Sequence, residues 1–183
     1  MKRVSALILG LSILAGACGG SSPTEPAAGT TSTSTFTVPL SPANEVPAVT
    51  NTDAAASGTA IIALSVTKDS GGSITSATAN FQITVTGFGA ASRVTDAHIH
   101  NGAAGANAGI FVNTTLASGE IALTNVSGTA AKNGINVPSD RAAAILSNPA
   151  GHYFNVHTAL NPDGAIRGQL GVAVVTQGTG VSY

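Results

Sequence analysis

Asp96-Ala97-His98-Ile99-His100 sets two histidines at strand spacing, and Tyr153-Phe154-Asn155-Val156-His157-Thr158 supplies a third. Imidazole nitrogens suit copper and zinc, so three of them brought together, with a carboxylate or amide beside them to orient the rings, would make a metal site. In a chain with four histidines and 8% charged residues, these are the side chains that look arranged for chemistry. The candidate ligands are His98, His100 and His157, with Asp96 or Asn155 orienting the rings and Cu or Zn as the ion. The same residues, together with Arg167, also suit a hydrogen-bond network that merely ties strands together. Arg167 is expected to pair with Asp96 or Glu45, and His152, which follows Gly151 at a strand start, to be solvated.

The elements that must position these groups read as strands. Short runs rich in Val, Ile and Thr recur over 36–40, 58–66, 79–88, 94–100, 109–112, 119–123, 152–158 and 165–170, separated by turn signals such as Asp69-Ser70-Gly71-Gly72 and Asn101-Gly102. The alanine-rich stretch 138–146 carries apolar residues at helical spacing and predicts one short helix. Together these imply an all-β, antiparallel β-sandwich with one short helix.

Side chains alternate along a strand, so Asp96, His98 and His100 share one face, as do Tyr153, Asn155 and His157. Asn161-Pro162-Asp163-Gly164 suits a type I turn with Gly164 in the left-handed region, a three-residue loop that pairs Val156 with Leu170, Leu160 with Ile166 and His157 with Gln169. That register leaves Tyr153, Asn155, His157, Arg167 and Gln169 on a polar face. A slip of one residue would set Ile166 and Leu170 among them.

Composition excludes several classes. Seven Lys and Arg against eight Asp and Glu give a net charge of -1, with no basic stretch beyond the first three residues, so phosphate neutralisation on nucleic acid is not provided for. Gly102 to Gly109 is glycine-rich but joins two strands, lacks a following lysine and opens no helix, so it is no phosphate cradle. There is no Gly-x-Ser-x-Gly context, and the few acids suggest no paired carboxylates for glycoside hydrolysis. The expectation is a non-enzymatic module.

Residues 1–17 read as a signal peptide: Lys2 and Arg3, then an apolar run from Val4 to Leu14 too short to span a membrane. Leu14-Ala15-Gly16-Ala17-Cys18 resembles a lipobox, with Cys18, the single cysteine, as the lipid attachment residue. The partner so implied is a membrane, and the location extracytoplasmic, at the outer membrane if the envelope is Gram-negative. Residues 18–34 hold no large apolar side chain and read as a flexible tether. Residues 35–171 form the domain and 172–183 a C-terminal strand or tail.

Four blocks in order, Leu40-Ser41-Pro42-Ala43-Asn44-Glu45-Val46-Pro47, Asp96 to Gly102, Tyr153 to Thr158, and Pro162-Asp163-Gly164-Ala165-Ile166-Arg167-Gly168-Gln169-Leu170, resemble the motifs of the CHRD (chordin) domain. The resemblance implies a secreted, immunoglobulin-like β-sandwich. Such domains occur in animal chordin, beside modules that bind growth factors, and in exported bacterial proteins. The favoured expectation for this chain is a lipid-anchored surface module that binds a protein or envelope partner. Val85-Thr86-Gly87-Phe88 followed by Ala97-His98-Ile99-His100 is also similar to the element that carries copper ligands in copper-zinc superoxide dismutases. A dismutase-type two-metal site needs more histidines than the four present.

Overall fold

The computed structural model describes residues 29–178. The signal peptide, Cys18 and most of the tether therefore lie outside the described residues. Nine strands and one helix follow in order: β1 Thr30–Leu40, β2 Ser57–Lys68, β3 Ile74–Thr86, β4 Val94–His100, β5 Ile110–Asn113, β6 Gly128–Asn136, α1 Ser139–Ser147, β7 Tyr153–Thr158, β8 Ile166–Gln169 and β9 Val174–Gln177. They make two antiparallel sheets, β6-β3-β2-β1-β9 and β5-β4-β7-β8, packed as an all-β sandwich. The core follows the alternation: Phe36, Val38 and Leu40 of β1, Ala60, Ile62 and Leu64 of β2, and Phe81, Ile83 and Val85 of β3 meet Ala97, Ile99, Phe154, Val156 and Ile166 of the second sheet. Phe81 and Phe154 stack across the interface with centroids 5.9 Å apart.

Several expectations need correction. Thr30 to Ser34, assigned to the tether, is the first half of β1, paired on one side with β2 and on the other with β9. Main-chain pairing holds it, helped by a Thr33–Ser65 hydroxyl bond of 2.7 Å, so the absence of large apolar residues is no bar. Residues 119–123 are bends and irregular backbone after a turn rather than a strand. The edge strand is instead β6, whose largely exposed residues give no apolar alternation to read. The C-terminal segment does supply a strand, β9, exposed throughout.

The β7–β8 register also differs. Val156 lies opposite Ile166, Asn155 opposite Arg167 and Tyr153 opposite Gln169, so the loop is longer than a three-residue turn. Turns closed by Asn161 N–H on Thr158 O (3.1 Å) and Gly164 N–H on Asn161 O (3.1 Å) occupy it. The reason lies across the sandwich: the buried Asp53 carboxylate accepts from Thr158 Oγ1 and Asn161 Nδ2, each at 2.8 Å, and draws the end of β7 away from β8. The shift is an even number of residues, so the division into core and polar faces survives it.

Candidate metal centre

The polar face is not solvated. All six residues of β7 are buried on both faces, because the loops after β1 and β4 fold over it: Asn107 Nδ2 donates to Val46 O at 2.6 Å, and Arg167 reaches Asn44 O at 2.6 Å and Asn107 Oδ1 at 3.0 Å. Cross-strand pairing sets Asp96 beside His157, His98 beside Asn155 and His100 beside Tyr153. One ring nitrogen from each of His98, His100 and His157 lies within 4.8 Å of the other two.

The outer nitrogens fix which atoms face inward. His100 Nδ1 lies 2.9 Å from Ala108 O and His157 Nδ1 2.9 Å from Pro162 O. A carbonyl only accepts, so both rings carry their proton on Nδ1 and present a bare Nε2 to the interior. His98 Nε2 sits 3.0 Å from Asp96 Oδ2, off the axis of a good hydrogen bond but close enough for the carboxylate to favour a proton there. Its Nδ1 is then bare as well, and it stands 3.3 Å from His157 Nε2. Two lone pairs at that distance repel unless a positive charge lies between them. The opposite tautomer of His98 only moves the conflict, placing a bare Nε2 against the Asp96 carboxylate.

A metal ion would remove the conflict. With metal–nitrogen bonds of about 2.0–2.1 Å, the edge of a tetrahedral site is about 3.3–3.4 Å, which matches the His98–His157 separation. Burial lowers the pKa of His98, with the Asp96 charge opposing, and burial likewise lowers that of His100 against its bond to Ala108. Both rings are thereby kept neutral, the form that binds metal.

The remaining groups sort as follows. Asp96 lies beside His98, its Oδ2 3.0 Å from His98 Nε2. Asn155 lies on the same face with its amide nitrogen turned toward Gly164, where an added Cβ would come within 2.5 Å of it; its Oδ1 is buried without a partner. Arg167 is not a ligand. Its guanidinium lies 4.5 Å over the Tyr153 ring, its Nε is 3.8 Å from Glu45 Oε2, and Tyr153 in turn stacks on His100 at 4.7 Å and 5°. Of the two expected partners for Arg167, the structure selects Glu45. His152, expected in solvent, is buried against Phe111 with its Nδ1 3.0 Å from Asn148 O, and it is not a member of the cluster. Sequence reasoning missed the Ala108 and Pro162 carbonyls, since backbone acceptors carry no residue signature, and it missed Asp53, a lone acid among alanines.

The fold and this buried cluster define a β-sandwich module with its chemistry concentrated on one face of the smaller sheet. The family model for the CHRD domain matches residues 36–170, and the chain belongs to that family. No curated protein and no solved structure matches it. Membership marks it as an extracellular β-domain module.

Proposed function

We propose that this is a lipid-anchored extracytoplasmic CHRD module that holds one Cu or Zn ion on His98 Nδ1, His100 Nε2 and His157 Nε2, in a redox or metal-carrying role rather than as a hydrolase. The observation that carries this reading is the convergence of the three rings, with His98 Nδ1 and His157 Nε2 3.3 Å apart. Each outer nitrogen already faces an acceptor, so a cation satisfies all three rings at once. A partner-binding role keeps one support of its own. Val46 and Leu160 are exposed at the end of the sandwich remote from Thr30 and line one shallow groove, an apolar spot of the kind protein contacts use.

Elemental analysis of the full chain purified from its native envelope tests the metal. About one Cu or Zn per chain is expected, lost in His98→Ala and in His157→Ala. Metal-free protein whose melting temperature ignores chelators would reject the reading. The anchor rests on Cys18 in its lipobox-like setting. Cys18→Ser should abolish incorporation of labelled fatty acid and move the chain from the membrane to the soluble fraction; unchanged fractionation with no label in the parent chain would refute it.

A further inference from the structure

Resting on the metal reading, the spacing and charge of the three rings say which ion they suit. His98 Nδ1 and His157 Nε2 stand 3.3 Å apart, so bonds of about 2.0–2.1 Å to a shared ion open an angle of about 105–110° between them. Divalent copper favours a tetragonal set, in which neighbouring donors meet at about 90° and stand about 2.9 Å apart. The observed spacing suits a trigonal or tetrahedral ion instead, which leaves zinc and monovalent copper.

Charge separates those two. Among the described residues the cluster is three histidines, with no carboxylate or thiolate in it, and a histidine binds metal as the neutral imidazole. The ligand set therefore brings no negative charge of its own. Three charged side chains stand around it: Asp96, with Oδ2 3.0 Å from the outer nitrogen of His98, Arg167 beyond Tyr153, whose ring stacks on His100, and Glu45 beside Arg167. With the Glu45 carboxyl pushed up to about 7, their sum near neutral pH lies between zero and one negative charge. A monovalent ion comes close to neutralising this surrounding, whereas a divalent ion keeps at least one uncompensated positive charge among buried rings. The dication does draw the three lone pairs harder, but the hydration it surrenders grows with the square of the charge, about fourfold.

The neighbouring oxygens do not restore the balance. Asp96 Oδ1 is held by Ala97 N–H at 2.8 Å and the Tyr153 hydroxyl by Ala108 N–H at 3.2 Å. Asn155 Oδ1 is buried without a partner, and as a neutral donor it alters the number of donors but not the charge. Zinc on three histidines completes its set with a water-derived fourth ligand; monovalent copper is content with three donors.

We propose that the three rings form a site for monovalent copper, held in preference to divalent copper and to zinc. Imidazole nitrogen grips this ion less tightly than thiolate or thioether sulfur does, which suits a carrier that must give it up again.

The test measures the affinity of the full chain for each ion separately, by competition with a chromophoric chelator: Cu(I) without oxygen and with ascorbate present, then Cu(II) and Zn(II). Cu(I) should bind about a hundredfold more tightly than Cu(II), and an equal concentration of Zn(II) should fail to displace it. In Asp96→Asn, which removes the negative charge nearest the rings, the preference for Cu(I) over Cu(II) should widen roughly threefold or more. Taking the ratio within one variant cancels any general weakening from disturbing His98. Cu(II) held as tightly as Cu(I), or zinc displacing Cu(I) at equal concentration, overturns the proposal and leaves a divalent-metal site. A ratio that narrows in Asp96→Asn overturns charge as its cause. Failure to bind any of the three ions is a different result, since it rejects the metal reading beneath this one.

Discussion

Glu45 is an acid placed where acids are costly: it is 6% exposed, against an equally buried Arg167 at 3.8 Å, with one carboxylate oxygen unpartnered. Burial pushes its pKa from 4.5 up to about 7, outweighing the opposing charge of Arg167. A carboxyl whose pKa is raised on folding contributes stability fully present below the unfolded value and lost as pH rises through the folded one. The window is therefore 4.5 to about 7, and stability falls across it. Glu45→Gln, which cannot ionise, should lose ground to the parent at the acid end and gain on it toward neutral pH. Melting temperatures of both proteins across that range check this, and a difference that stays flat with pH contradicts it. At this scale the grouping of the three histidines was legible, because strand alternation places His98, His100 and His157 on one face whatever the exact register. The carbonyls that choose their tautomers were not, since any residue can supply one.

At the scale of elements, strands with buried alternation were readable and those without it were not. β2 and β3 show their inward Ala60, Ile62, Leu64 and Phe81, Ile83, Val85 plainly, whereas β6 hides in Gly128-Thr129-Ala130-Ala131-Lys132-Asn133, where pairing to β3 decides and side-chain burial does not. The β7–β8 hairpin failed for another reason: local turn chemistry favoured a tight loop, but the distant Asp53 sets the end of β7. The turn just before β6 supplies a test of local strain. Thr124 and Ser127 bridge across Asn125 and Val126, whose φ values are +48° and +62°, the signature of a type I′ turn. Asparagine tolerates that region, but a β-branched valine clashes there, at a cost of about 1–2 kcal/mol. Val126→Gly relieves the clash and surrenders roughly 0.5–1 kcal/mol of backbone entropy. The expected net is a gain of about 0.5 kcal/mol, read as a raised urea midpoint with unchanged slope. A lowered midpoint would mean that the Val126 side chain, 39% exposed, contributes more by packing than its backbone loses by strain.

For the whole molecule, the site depends on how closely the two sheets approach at one corner. Beyond the end of β1, Ser41 pairs with Arg167 of β8 through reciprocal main-chain bonds of 3.1 and 3.2 Å, so the larger sheet is stitched to the smaller beside the polar face. The next residue, Gly168, makes this possible: a Cβ there would be driven into the carbonyl oxygen of Pro39 and would come within 2.9 Å of Val38 Cγ1. Backbone meets backbone, so neither side can yield by a rotamer change. The corner carries Arg167 to the carbonyls of Asn44 and Ala106 and thereby holds both covering loops over the histidines. Gly168→Ala should therefore part the sheets where the cover is anchored, at a cost of about 3 kcal/mol, and weaken metal retention in the same step. Gly171→Ala is the control, since a Cβ there meets nothing within 4 Å, and its effect should stay within about 0.5 kcal/mol. Denaturant melts of both variants, followed by metal analysis of each, separate a stitched corner from two sheets held by the core alone. If Gly168→Ala unfolds with the parent and keeps its metal, the cover over the cluster does not depend on this junction.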